Sequence, residues 1–237
     1  MLRIWQKRID IIVLIRMREK VEKYLVIIMN KDQSTVIANR WQVIRSICEN
    51  KKVLDIGCVD HTVNTEGNYY WLHKQIKSVA SSVIGVDILE EEIKKLNQKE
   101  YNIIYGDALK IDLKEQFDVV IAGEFIEHIS DRGIFLSNMY KHLKDDGTLV
   151  ITTPNMFAFR YQLRNLIFGN VIPNQEHVCW YDYFTLRELC ERNNFKVVKS
   201  FYHFEQDTPW YKYWPVRFLT FLRKNYAPRI LFVLEKN

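Results

Sequence analysis

The stretch Lys52-Val53-Leu54-Asp55-Ile56-Gly57-Cys58 decides the fold. Apolar residues around a single acid read as a strand over residues 52–56 that is buried on both faces, the signature of a parallel sheet covered by helices. Gly57 marks a sharp turn directly after it, because a residue without Cβ lets the backbone bend and approach a ligand closely.

Working outward, helix-period and strand-period segments alternate from residue 38 onward, as in parallel sheets with crossover helices. Helices are expected over residues 38–49 and 69–80, followed by a strand at 82–86. A helix with charges at Glu90, Glu91, Glu92, Lys94 and Lys95 precedes a strand at 101–105, and the next strand is 117–122. A helix over 131–143 ends at a turn, Lys144-Asp145-Asp146-Gly147, before a strand at 148–153 that Pro154 stops. Thr185 as N-cap, with Glu188 as its capping-box partner, opens a helix over 185–193. Strands at 195–204 and 229–235 are expected to pair antiparallel at the sheet edge. The expected fold is α/β: a doubly wound, mostly parallel seven-stranded sheet with an antiparallel edge strand and helical insertions. Ligands bind such sheets at the carboxyl ends of the strands.

With 237 residues, 48% of them hydrophobic, the chain suffices for one full-sized core and is short for two. Residues 1–37 read as an N-terminal extension, and residues 38–237 as one domain with insertions over about 154–183 and 207–226. Residues 1–28 mix Arg16, Arg18, Lys20 and Lys23 with apolar runs, and Met29 is an alternative start. The formal charge of +5 favours anionic ligands. The basic residues form no stripe that could track a phosphate backbone, so there is no clear nucleic-acid site. Cys48, Cys58, Cys179 and Cys190 have no CxxC spacing and read as reduced thiols of a cytoplasmic protein. The apolar run at residues 11–15 is too short to span a bilayer, and no cleavage site follows it.

Four segments carry candidate chemistry in order: Val53 to Cys58; Gly85-Val86-Asp87-Ile88; Gly106-Asp107-Ala108; and Phe117-Asp118-Val119-Val120-Ile121-Ala122-Gly123-Glu124. A carboxylate at the end of the second of these strands can accept hydrogen bonds from two ribose hydroxyls. This ordered set resembles the class I S-adenosylmethionine-dependent methyltransferases over about residues 38–205. The resemblance implies a Rossmann-like fold and S-adenosylmethionine as cofactor. It places Asp87 and Ile88 at the ribose, Asp107 and Ala108 at the adenine, and Asp55, Gly57 and Cys58 at the methionine end, with Gly123 and Glu124 lining the methionyl pocket. The first loop departs from the family by carrying Val59 and His61 where glycines are usual. Its Cys58-Val59 turn, His61-Thr62 and Trp71-Leu72-His73 are similar to a subset of bacterial and archaeal methyltransferases.

Direct transfer from sulfonium to acceptor needs alignment and at most a base. The candidates for that base are His128, Glu124 and His177. Cys58 reads as a small buried thiol, since nothing near it in sequence would lower its pKa. Glu124, Glu127 and His128 are spaced to share one face of a helical turn, and His177 lies in the insertion expected to fold over the same strand ends. These four form a candidate set for magnesium, manganese or zinc. They resemble the ExxEH motif and distant His of small-RNA 3′-end methyltransferases and ubiquinone-pathway O-methyltransferases. The pattern Glu176-His177-Val178-Cys179-Trp180-Tyr181 with Thr185-Leu186-Arg187-Glu188-Leu189 is similar to methyltransferases acting on small metabolites or glycans. The expected reaction is therefore O-methylation of a small-molecule, glycan or quinone-like acceptor.

Residues 210–224 read as an amphipathic lid, with Trp214, Phe218 and Phe221 on one face and Lys212, Arg217, Arg223 and Lys224 near its edge. Peripheral membrane contact is the alternative use of such a segment. Two other functions stay open: a non-catalytic S-adenosylmethionine-binding or scaffold subunit, and a metal-dependent RNA 2′-O-methyltransferase. A nicotinamide oxidoreductase is disfavoured, because residues 57–62 supply one glycine where G-x-G-x-x-G needs three. The sequence assigns no oligomeric state.

Overall fold

The computed structural model describes residues 34–59, 67–171, 174–204 and 210–237. The expected extension over residues 1–28, Met29, His61 and Thr62 lie outside the described residues, as do the side chains of Lys212 and Trp214.

The elements follow in the order β1 (Thr35–Asn39), α1 (Trp41–Cys48), β2 (Lys52–Ile56), α2 (Leu72–Lys77), β3 (Ser82–Asp87), α3 (Glu90–Asn97), β4 (Ile103–Tyr105), β5 (Phe117–Gly123), α4 (Arg132–His142), β6 (Leu143–Pro154), α5 (Phe159–Phe168), α6 (Tyr183–Arg192), β7 (Phe195–Phe204), α7 (Trp210–Leu222) and β8 (Arg229–Lys236). The strands form one sheet in the order β1-β7-β8-β6-β5-β2-β3-β4. Every neighbouring pair is parallel except β8, which runs antiparallel to both β6 and β7. The chain order reverses at β2, which lies between β3 and β5, so the crevice at its carboxyl end is the expected ligand site of such a sheet.

Successive side chains of the central strands point to opposite faces, and each face buries its own apolar set. Leu54, Ile56, Val120 and Ala122 pack with Phe135, Leu136 and Met139 of α4 and Leu186 of α6. Val53, Val119, Ile121 and Val150 pack with Ile44 and Cys48 of α1 and Leu72 and Ile76 of α2. Asp55 shares the second face, which directs its carboxylate toward α2.

Four expectations are corrected. The sheet has eight strands, where seven were expected. Thr35-Val36-Ile37 are β-branched residues suited to a pleated edge, and they add β1 parallel to β7. The boundary expected between residues 37 and 38 therefore falls inside a strand, and α1 starts only at Trp41. The antiparallel strand is not at the edge: β8 is flanked by β6 and β7. The turn expected at Lys144 to Gly147 is part of β6, taken up by a register shift opposite Phe117 and Val119. The N-cap of α6 is Asp182, whose side chain accepts from the backbone N–H of Phe184 and Thr185, while Thr185 is the capping-box partner three residues on. Among the described residues, no helix is long and apolar enough to cross a membrane.

Candidate functional site

The carboxyl ends of β2, β3, β4 and β5 surround a cavity of about 730 Å³ lined by Asp55, Gly57, Cys58, Asp87, Ile88, Asp107, Ala108, Gly123, Glu124 and His128. All nine residues expected at a cofactor thus meet at one place. Gly57 has φ of +66°, and a Cβ there would lie 2.6 Å from the Phe125 ring. The turn therefore needs glycine for conformation and for space. Gly57→Ala is expected to cost about 2 kcal/mol of stability or more, since left-handed strain and overpacking add. A denaturant midpoint unchanged in that variant would contradict the geometry.

The loop after β2 lacks the usual glycines and is held by side chains instead. Asp87 is buried, and its Oδ2 accepts from the Val59 N–H at 2.9 Å, while its Oδ1 accepts from the Ile88 N–H at 2.7 Å and the Leu89 N–H at 3.1 Å. The indole of Trp71 donates to the Cys58 carbonyl at 2.6 Å. Burial, with Asp55 and Asp87 nearby, pushes the Cys58 thiol well above the usual thiol range, so it is an inert packing group. Beneath this loop, buried His73 places Nδ1 2.9 Å from Asp55 Oδ2 and stacks beside Trp71 and Tyr101. Asp107 accepts from the Leu109 N–H at 2.9 Å and keeps its other oxygen near Lys110, 3.4 Å away.

Glu124 departs from the expected helical turn. It sits at φ of +55° in a non-helical segment after β5, so residues 124, 127 and 128 do not share one helical face. Its carboxylate pairs with Arg229 of β8, accepts from Thr152 Oγ1 at 2.8 Å and lies 3.8 Å from Arg40. Burial, with Arg40 close by, lowers the Arg229 pKa to about 9. Glu124 therefore stands apart from the cluster it was expected to complete. Glu127, His128 and His177 alone each bring one potential ligand atom to within 4.8 Å of the others.

That trio is assembled by backbone hydrogen bonds. The carbonyl of Glu127 accepts from the N–H groups of Val178 at 2.9 Å and Cys179 at 3.3 Å, which docks the insertion and sets His177 edge-on to His128, ring centroids 4.7 Å apart. Glu127 is buried. Its Oε2 accepts from Thr153 at 3.0 Å, its Oε1 has no partner among the described residues, and burial raises its pKa to about 7. Burial, then the neighbouring His128, lowers the pKa of His177.

A family model described as a methyltransferase domain matches residues 31–200. The chain belongs to the methyltransferase-domain family. The mitochondrial ubiquinone biosynthesis O-methyltransferase of Bos taurus is 28% identical over 164 residues, which cover 62% of this chain and 41% of that one. The ubiquinone biosynthesis O-methyltransferase of Bartonella quintana (strain Toulouse) is 30% identical over 124 residues, 49% of this chain and 47% of that one. The chain thus spans less than half of the length of these two relatives. A crystal structure of a SAM-dependent methyltransferase from Archaeoglobus fulgidus matches its fold with a TM-score of 0.56 at 23% identity, over 84% of this chain and 91% of that one.

Several groups in this cavity escaped the sequence reading: Arg40, Phe125, His203 and Arg229 all line it. His203 is buried, and burial lowers its pKa to about 3, so it presents a neutral imidazole. Arg40 precedes α1 and Arg229 opens β8, positions where the sequence shows only ordinary basic residues. Their shared acid, Glu124, was the one signal in the sequence that cations had to lie near.

Proposed function

We propose that the chain transfers a methyl group from S-adenosylmethionine to an oxygen of a small, quinone-like, glycan or other hydroxylated acceptor. The observation that carries the reading is the single cavity that joins Asp55, Gly57, Asp87 and Asp107 to His128. Gly57, Gly106 and Gly123 form part of its wall. S-adenosylmethionine supplies an electrophilic methyl carbon when bound. Asp87 retains lone pairs for ribose hydroxyls, Asp107 and Ala108 face the adenine, and Arg40 gives a cation for the methionyl carboxylate. Asp55, fixed by His73, supports the methionine end. The relatives named as ubiquinone biosynthesis O-methyltransferases support a quinone-like acceptor among the classes considered. A cytoplasmic location belongs to the same proposal and is supported by the free state of all four cysteines.

His128 is the favoured base, because it lines the cavity, whereas Glu124 is engaged by Arg229. His177 stays a neutral imidazole at neutral pH and orients His128 from its edge. His128→Ala is expected to lower kcat at least about 100-fold, within the usual range for a general base, with the affinity for S-adenosylhomocysteine changed little. The assay is S-adenosylhomocysteine release over pooled quinols, phenols and glycans. Full turnover in the variant would remove His128 from the chemistry, and no release with any acceptor would favour a non-catalytic binding subunit.

A second reading, favoured by the proximity of Glu127, His128 and His177, is that these three hold a divalent metal, His128 then being a ligand and not the base. The unpartnered Oε1 of Glu127 fits this donor set, and two imidazoles with one carboxylate suit zinc or manganese better than magnesium. A metal there would lower the pKa of an acceptor hydroxyl. Exhaustive chelation is expected to abolish turnover, with zinc or manganese restoring it and elemental analysis finding metal in wild type and not in His177→Ala. Turnover that survives chelation would leave His128 acting alone.

A further inference from the structure

Helix α5 contains no buried residue and is exposed from Gln162 to its end at Phe168. Its last turn presents Leu166, Ile167 and Phe168 to solvent. Helix α7 packs beside it and exposes Phe218, Phe221 and Leu222, of which Phe221 is 86% accessible. Phe218 and Phe221 were expected to close over the site as a lid, and instead face outward. Contiguous exposed apolar surface of this kind marks an interaction site, because an ordinary surface helix buries one face.

The charges around this surface select the partner. Residues 156–175 and 210–229 contain no Asp or Glu, although acids number 29 in the 237-residue chain. Exposed cations flank the apolar residues instead: Arg160 and Arg164 on α5, Arg217 on α7, and Arg223 just beyond it. The Arg164 guanidinium lies over the Phe168 ring at 5.7 Å, and that of Arg217 over Phe204 at 5.0 Å. Long basic side chains that lie along apolar groups in this way keep their charge at a boundary between apolar and aqueous phases. A protein partner of ordinary composition needs no surface purged of acids, whereas an anionic bilayer repels every one.

We infer that α5 and α7 together form a docking surface for an anionic phospholipid bilayer, with the apolar residues entering the headgroup region and the arginines contacting lipid phosphates. The surface adjoins the cavity, since Phe204 lines the cavity and carries Arg217 on its ring. Vesicle binding is read without any methyl transfer, so the inference holds whatever the acceptor is.

Co-sedimentation of the full chain with phosphatidylcholine vesicles, with and without phosphatidylglycerol, tests it. The wild type is expected to pellet with phosphatidylglycerol-containing vesicles, much less with phosphatidylcholine alone, and less again in high salt. The triple variant Leu166→Ser, Ile167→Ser, Phe168→Ser and the double variant Arg164→Glu, Arg223→Glu should each lower the partition coefficient at least about tenfold. Unchanged melting and unchanged S-adenosylhomocysteine affinity serve as folding controls. The inference is overturned if the wild type stays in the supernatant with both vesicle types, or if folded variants pellet like wild type. It is also overturned if gel filtration shows a wild-type dimer that does not bind vesicles and that the triple variant converts to monomer, which would make the surface a contact between copies.

Discussion

Asp87→Ala is expected to weaken binding of S-adenosylmethionine about 100-fold, on the order of 3 kcal/mol, the upper end for a charged hydrogen-bond acceptor. Two losses combine. The ribose hydroxyls lose their acceptor, and the N–H groups of Val59, Ile88 and Leu89 lose the carboxylate that fixes the loop between β2 and α2 to the end of β3. Because this loop has Val59 where the family has glycine, its geometry depends on such ties more than a glycine-rich loop would. Asp87→Asn, which keeps one acceptor oxygen, should fall between Ala and wild type. Calorimetric titration of both variants measures the effect. Equal affinity in wild type and Asp87→Ala would show that the carboxylate does not face the ligand.

Glu124→Ala should destabilise the fold by about 1 to 3 kcal/mol, less than breaking a fully buried ion pair, because both side chains keep about a fifth of their surface exposed. Arg229 and Arg40 would then face each other without the carboxylate that separates them, and Thr152 would lose the acceptor for its hydroxyl. Burial and Arg40 already hold the Arg229 pKa down at about 9, a sign that this guanidinium has little water to compensate. Urea denaturation near neutral pH checks the magnitude. A combined Glu124→Ala, Arg229→Met variant should recover part of the loss, because it removes the stranded charge along with its partner. No recovery would place the damage elsewhere in the turn.

The sheet was legible because its strands are buried on both faces and end on Gly57, Asp87, Asp107 and Gly123, a pattern set by local chemistry. β1 was not, because Thr35, Val36 and Ile37, read as the end of the extension, make too short an apolar run to mark a strand until β7 is there to pair with them. The side of the cavity expected to hold the cofactor could be read for the same reason as the strands: each of its nine residues lies within three positions of a strand end. The acceptor side could not. The direction of Glu124 is set by a positive φ, and Arg229 and His203 reach the cavity only through strands far along the chain. His177 was correctly placed near His128, yet the reason, two hydrogen bonds to the Glu127 carbonyl, is a backbone contact with no side-chain signature.

Isothermal titration of the 237-residue chain with S-adenosylhomocysteine tests the central claim most directly. Saturable binding at one site per chain is predicted for the wild type, and strongly weakened binding for Asp87→Ala at unchanged helical circular dichroism. Absence of binding by a folded wild type, or binding that Asp87→Ala leaves untouched, would contradict it.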